Sequence, residues 1–392
     1  MPYWRLSACY FVYFAVIGAL APYLPLYLRA LGYSEFWVAV MFAIHMLMKI
    51  VGPTAWGYLT DYQQSVMPLA RWANLISALS FGLLPLAKGD FAIATLIAVF
   101  SFFLHAFLSS LEVVTLAHLG HENRRYTLVR VWGSVGFVVA AMGYGLMLQS
   151  LPILDFPWLL TPVFVLLWWI SLLIPEGRVD HQQAISGSFH SQLKQPLVVG
   201  FFAILFLLHL SHGPYYAMYS LHLDALGYSS KSVGILWSLG VLAEVLVFLI
   251  MPKLLSNFGA RPLMLWAIAL AALRWLITAT LADQPLWAGL AQLQHAASFG
   301  IAHAVAILYV AAFFPGAMQG RGQGFYSAIT FGAGGTLGSL LAGWVWTFGG
   351  GQGVYLVASI IALLALLLAW YRLPTWQAIK SSYSIGIAAD EK

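Results

Sequence analysis

The chain has 392 residues, of which 61% are hydrophobic and only 8% charged. A soluble domain carries about a quarter charged residues, so this chain cannot coat a water-facing surface and reads as an integral membrane protein. The single cysteine, Cys9, excludes an intrachain disulfide, and the formal net charge of +5 does not by itself call for nucleic acid.

A spanning helix needs about 20 mostly apolar residues. In chain order the sequence offers twelve such segments. Six lie at 6–28, 36–59, 68–87, 91–116, 127–149 and 157–174, and six at 197–221, 232–254, 262–282, 285–314, 322–347 and 352–372. Polar turns such as Lys88-Gly89-Asp90 and Asp283-Gln284-Pro285 separate them. The first segment has no small-residue cleavage site and leads into further spans, so it reads as a retained helix rather than a signal peptide. The longest polar stretch, Pro175 to Pro196, follows the sixth span. The expected organisation is a six-helix bundle over 1–174, a linker over 175–196, a second six-helix bundle over 197–373 and a tail over 374–392.

Orientation follows from the cations. Of 18 Lys and Arg, Lys49, Arg130 and Arg274 fall deep inside spans, and Arg29, Lys88 and Lys231 flank one side, which leaves 18 − 6 = 12 at or beyond the span ends on the other. Placing the twelve in the cytoplasm puts both termini and the linker there. The protein is then a multi-pass component of a bacterial-type inner (plasma) membrane, expected to work as a monomer in membrane lipid. The basic bias is accounted for by topology, and no nucleic-acid partner is expected.

The two halves share a word. Ala-Leu-Gly-Tyr-Ser stands at 30–34 and again at 225–229, an offset of 225 − 30 = 195. The same offset pairs Gly18 with Gly213, Leu26 with Leu221, Leu28 with Leu223 and Val38 with Val233. Both copies fall between the first and second span of a half. The halves therefore read as parallel repeats related by an axis along the membrane normal, with a binding site near the midplane between them.

Five charges lie deep within spans, away from their ends: Lys49, Glu112, Arg130, Glu244 and Arg274. A charge at the bilayer centre costs about 2.5–3.5 kcal/mol on insertion scales and marks a pathway or a partner. Folding each hairpin about its turn matches depths. Glu112 and Arg130 stand nine residues either side of His121, and Glu244 and Arg274 fifteen either side of Gly259. His295 falls in the same stratum as Glu244 and Arg274. Each acid–base pair reads either as a register-fixing ion pair or as part of a transport site. Lys49 is the repeat equivalent of Glu244 (49 + 195 = 244) and shares a helix face with His45. Three cations meet two carboxylates, leaving 3 − 2 = +1. An uncompensated buried charge is costly, so a monoanionic ligand suits the cavity. Trp132, Trp237 and Trp275 are candidate ring-stacking walls. Glycines recur on the fifth span (Gly133, Gly136, Gly143, Gly145) and the eleventh (Gly332, Gly334, Gly335, Gly338, Gly343), where small residues let helices approach closely.

Twelve spans, a 6+6 repeat and a cytoplasmic central loop resemble the major facilitator superfamily. Its gating-loop signature after the second helix is partly present as Gly57-Tyr58-Leu59-Thr60-Asp61, but Tyr62-Gln63-Gln64-Ser65 replaces the basic tail. Arg130 to Val138, Gly227 to Phe248, Leu273 to Trp275 and Leu293 to Ala304 are similar to the phenylpropionate permease group, relatives of lactose permease and the nucleoside/proton symporters. That resemblance implies proton-coupled uptake of a small molecule, with 3-phenylpropionate as the named substrate. It also implies roles. Glu112, Arg130 and Phe137 fit the order of an acid, an arginine and an aromatic that grip the substrate. Apart from the resemblance, Lys49 by its depth and Trp237 by its ring are further expected substrate contacts. His295 resembles the tenth-span histidine of lactose permease, although Ser298 stands where that relative has an acid. Glu244 with Arg274 and His295 is the expected proton-coupling group, because a desolvated carboxyl beside a cation can load and unload a proton as the cavity fills and empties. His303 reads as packed or hydrogen-bonded.

A membrane enzyme is the rival from another class. The chain lacks an HExxH zinc helix and a Gly-rich phosphate loop, and His209 and His212 lack an obvious third ligand. Neither a metal nor a cofactor is expected beyond a proton gradient as energy source. A passive channel fits paired charges less well than an occluding carrier does. Within transport, the alternative is a sugar or nucleoside symporter.

Overall fold

The computed structural model describes residues 2–63, 66–119, 123–176, 189–377 and 379. The long helices are α1 (Tyr3–Ala30), α2 (Glu35–Gln63), α3 (Met67–Gly82), α4 (Asp90–Leu119), α5 (Asn123–Ser150) and α6 (Phe156–Leu172), then a short α7 (Phe189–Leu193). The second half contains α8 (Pro196–Ala225), α9 (Ser230–Phe258), α10 (Ala260–Thr280), α11 (Pro285–Leu293), α12 (Ala302–Phe313), α13 (Gln319–Ser327) and α14 (Gly335–Arg372). Helices are the expected form, because a segment in lipid must satisfy every backbone N–H and C=O internally. Eleven segments among the described residues are long and apolar enough to span a membrane, the longest being Gln319–Arg372. That one is broken at Gly350, whose φ of 56° no helix accommodates. The break falls between the spans expected at 322–347 and 352–372, so the count is twelve.

The repeated Ala-Leu-Gly-Tyr-Ser has a structural meaning. In both copies the glycine takes a positive φ, 94° at Gly32 and 84° at Gly227. In both, the following tyrosine N–H donates to a carbonyl five residues back, Tyr33 to Leu28 at 3.3 Å and Tyr228 to Leu223 at 3.0 Å. This is the left-handed glycine cap that ends a helix. The serine then opens the next helix, accepting from Trp37 N–H at 3.5 Å and from Ser232 N–H at 3.3 Å. The word encodes one helical hairpin, used twice. We call the membrane face that carries these two turns the turn face. The opposite face, which carries Tyr3, α7 and Arg372, is the linker face.

Other devices also recur. The Arg71 Nε and Nη2 atoms donate to the carbonyls of Ser171 and Ile174 at the end of α6, and those of Arg261 to Leu373 and Trp370 at the end of α14. Gly18 on α1 lies against the backbone of Phe137 on α5, and Gly213 on α8 against that of Gly338 on α14. Each half is thus a bundle whose first and fifth spans cross backbone to backbone. Outward faces are apolar, with Leu246, Leu249, Trp344 and Leu367 more than half exposed, as a lipid-facing surface requires. The linker expected at 175–196 and the tail expected at 374–392 fall largely outside the described residues.

The crossing glycines separate by role. A Cβ at Gly136 would strike the carbonyl oxygen of Phe11, whereas one at Gly143 meets nothing within 4 Å. Gly143, grouped with the packing glycines from sequence, is therefore not one of them. Gly136→Val should cost about 1–3 kcal/mol through overpacking and lower the melting temperature of the purified protein in detergent. Gly143→Val should leave it within error, and equal effects would show that the crossing is not what limits packing.

Candidate functional site

The second bundle is organised around a buried guanidinium. Arg274 on α10 has no exposed surface. Its Nη1 donates to His295 Nδ1 at 2.9 Å and to Ser298 Oγ at 3.3 Å, and its Nη2 donates to Gln292 Oε1 at 3.4 Å. Its carbon centre lies 4.3 Å from the ring centroid of Tyr215 and 4.4 Å from that of Trp275. The Tyr215 hydroxyl donates to the same Gln292 oxygen at 3.2 Å. An arginine only donates, so His295 Nδ1 is the acceptor and Nε2 carries the ring proton when the imidazole is neutral. His295 Nε2 stands 3.7 Å from Glu244 Oε2. The order is therefore Arg274, His295, Glu244, with the histidine interposed where the sequence reading placed a direct pair.

The backbone changes directly beyond His295. A π-helical turn, Ala296–Ile301, interrupts the tenth span directly after His295, and such bulges re-aim side chains. The turn brings Gly300 against Glu244, with Glu244 Cγ 3.2 Å from where a Cβ would sit. It also stacks His295, Phe299 and His303, with interplanar angles of 16° and 5° between neighbours. His303 Nδ1 meets the Tyr326 hydroxyl at 2.8 Å. A second π turn, Ala328–Gly334, interrupts the eleventh span.

The first bundle presents its charges differently. Arg130 lies over the ring of Phe14, 4.0 Å from its centroid, and 5.7 Å from that of Tyr10. Among the described residues, no ion pair within 4 Å joins it to Glu112, so the expected Glu112–Arg130 salt bridge is not formed. Lys49 Nζ reaches across to Tyr216 of the second bundle, 5.6 Å from the ring centroid. His45, one turn away, is tied to Ser101 Oγ at 2.7 Å.

Phe137 and Trp237 meet across the bundle boundary with centroids 6.4 Å apart. Trp237 is buried, tilted on Tyr215 at 4.5 Å, and donates to Ser220. Trp275 is buried behind Arg274 and donates to Ser211, while Trp132 donates to Tyr3 at the linker face, so neither of these walls the chamber. Gly57 and Asp61 lie on the last turns of α2, not in a loop, and the Asp61 side chain falls outside the described residues. His209 and His212 bond the carbonyls of Leu205 and Leu208 on their own helix.

The bundles are joined at the turn face and mid-depth. The buried Tyr23 hydroxyl donates to Ala141 O at 2.7 Å and across the boundary to Ser230 O at 3.2 Å. It fits because Gly145 and Gly234 lack a Cβ. Ser238 Oγ donates to Val138 O at 3.4 Å, and Gly343 packs on Phe36 and Ala39. Among the described residues, no hydrogen bond, ion pair or ring contact joins the bundles on the linker-face side of Lys49. Sequence reasoning missed Tyr23, Phe14, Tyr216 and Gln292. Only Gln292 carried a signal, an amide in an apolar span one turn before His295.

Comparison with known proteins fits this architecture. Residues 3–357 match the MFS_1 like family model. The chain belongs to that family. It is a membrane transporter of the major facilitator fold, not an enzyme. A "Probable 3-phenylpropionic acid transporter" of Escherichia coli (strain K12) is 28% identical over 93% of this chain and 96% of its own length. The maltose permease of Geobacillus stearothermophilus is 24% identical, covering 92% of each chain. The crystal structure of a point mutant of the nucleoside transporter NupG superposes with a TM-score of 0.84 at 18% identity, over 95% of this chain and all of that one.

Tyr23 is the one side chain that hydrogen-bonds both bundles at the turn face among the described residues. A neutral hydrogen bond contributes about 1 kcal/mol, so Tyr23→Phe should raise the population opened at the turn face about fivefold. Labelling of a Val138→Cys variant by a membrane-impermeant thiol reagent supplied from that face measures it. An unchanged labelling rate would remove Tyr23 from the closure.

Proposed function

We propose that this MFS_1-like protein imports a small aromatic carboxylate together with protons by alternating access, with the linker face in the cytoplasm. The observation that carries this reading is the charge balance of the chamber. Lys49, Arg130 and Arg274 outnumber Glu112 and Glu244 deep within the spans, and neither Lys49 nor Arg130 has a carboxylate within 4 Å among the described residues. A desolvated excess cation favours an anionic ligand. The ligand carboxylate is received by Arg130 and Lys49, with Glu112 alongside, and its ring by Phe137 and Trp237. Among the described residues, the hydrogen bonds and ring contacts between the bundles lie at the turn face and mid-depth, which fits a state open toward the linker face, the side the cationic bias assigns to the cytoplasm.

Coupling follows from charge balance in the chamber. Glu244 stands 3.7 Å from His295 Nε2, and His295 in turn meets Arg274. A bound anion offsets the cations that disfavour a protonated Glu244, so anion and proton favour each other's binding. Glu244 is the proposed proton carrier, with His295 passing its charge state to Arg274.

A second reading, a proton-coupled sugar or nucleoside symporter, is supported by the maltose permease relative and the NupG-like fold. Reconstituted vesicles challenged with aromatic acids, sugars and nucleosides, with internal pH recorded, separate the two. Aromatic acids should accumulate with acidification of the lumen, and accumulation of neutral sugars or nucleosides alone would replace the first reading by the second. Arg130→Ala should reduce carboxylate binding at least a hundredfold without loss of melting temperature, and undiminished binding would take Arg130 out of the site. Glu244→Gln should lose pH-driven accumulation yet keep counterflow exchange. Full accumulation in that variant would clear Glu244 of the carrier role.

A further inference from the structure

The two cations proposed to receive the ligand carboxylate, Arg130 and Lys49, each rest on an aromatic face. The Arg130 guanidinium lies 4.0 Å from the Phe14 centroid and the Lys49 ammonium 5.6 Å from the Tyr216 centroid. Neither forms an ion pair within 4 Å among the described residues. Each ring is itself held. Phe14 packs edge-on against Tyr13 at 5.0 Å, and Tyr216 against Tyr215 at 5.4 Å. Tyr215 in turn is fixed under Arg274 and hydrogen-bonded to Gln292. Room for the guanidinium on Phe14 comes from Gly133. A Cβ there would lie 2.6 Å from Phe14 Cδ2 and 2.8 Å from Arg130 Nη1.

We propose that Phe14 and Tyr216 set the ligand selectivity of the site by parking Arg130 and Lys49 on their ring faces until a ligand carboxylate draws the cations off. The inference rests on the carboxylate reading of the chamber. A ring face holds a cation more weakly than a carboxylate does, since charge-assisted hydrogen bonds, bidentate for a guanidinium, exceed a cation–π contact. A carboxylate therefore displaces the ring. A hydroxyl or amide group brings neither a countercharge nor a bidentate pair of acceptors, so it does not draw the cation off its ring. The vacated ring faces are apolar, which suits a ligand with a hydrocarbon body. Parking also keeps an unliganded carrier from holding two bare cations in a desolvated chamber.

The test compares 3-phenylpropionate with its uncharged amide by calorimetric binding to the purified full chain. In the wild type the carboxylate should bind and the amide should bind at least tenfold more weakly. Phe14→Leu and Tyr216→Leu remove the ring face, so each should tighten carboxylate binding about fivefold and leave the amide unchanged. Phe14→Tyr and Tyr216→Phe, which keep the face, should retain wild-type values. Should Phe14→Leu fail to fold, Gly133→Ala dislodges the same contact and should tighten the carboxylate likewise. Carboxylate affinity that is unchanged or weakened in the leucine variants overturns the proposal while leaving the carboxylate reading intact. Failure of the wild type to bind the carboxylate at all sinks that reading, and the proposal with it.

Discussion

A permanent positive charge with none of its surface exposed, Arg274, is the constraint around which the second bundle is built. Arginine cannot shed its proton, so the interior must answer it with hydrogen bonds and polarisable surface. His295, Ser298 and Gln292 give the first, and the faces of Tyr215 and Trp275 the second. These groups come from the seventh, ninth and tenth spans, so the charge ties three helices into one unit. It also fixes the His295 ring, whose remaining nitrogen then faces Glu244. Breaking the set by removing one member would strand the rest, which is why buried networks of this kind resist partial change.

The two halves descend from one hairpin plan and then part. Shared are the glycine-capped turns at Gly32 and Gly227, the Arg71 and Arg261 clasps on the ends of the sixth and twelfth spans, and the glycine crossings of first and fifth spans. All of these devices shape the bundle as a rigid body. The charged interior is not shared. Lys49 occupies the repeat position of Glu244, so one point in the symmetric frame carries opposite signs in the two halves. The second bundle locks its arginine in a hydrogen-bonded set, whereas the first leaves Arg130 stacked on a ring face. Symmetry supplies the hinge, and its violation supplies the chemistry.

This division explains what the sequence disclosed. Twelve spans, the break near Gly350 and the hairpin word were legible because composition and helix-ending glycines act locally. Depth matching along hairpins brought Glu244, Arg274 and His295 to one level, since a helix rises by a fixed amount per residue. It did not reveal which faces meet. The π turn at 296–301 rotates the residues beyond it in a way that no count at 3.6 residues per turn reports. Nor does a depth count report that His295, not Glu244, meets Arg274. Phe14 and Tyr216 stayed hidden among 25 phenylalanines and 19 tyrosines, because a ring under a cation is indistinguishable in sequence from a ring in a core. Tyr23 was equally silent: its role exists only where Gly145 and Gly234 from two different bundles leave room for a hydroxyl.

The distribution of strong contacts then decides where the molecule can move. Within a bundle, helix crossings at Gly18, Gly136, Gly213 and Gly338 are backbone against backbone, a geometry that tolerates little sliding. Between bundles, two hydrogen bonds, from Tyr23 to Ser230 and from Ser238 to Val138, are the polar ties among the described residues. At about 1 kcal/mol each, their loss is small enough to be exchanged for equivalent contacts on the opposite face. A ligand that binds one arrangement better by a comparable amount can therefore shift the balance. The transporter needs bundles that are stiff and a boundary that is weakly held, and the placement of its glycines and hydroxyls gives it both.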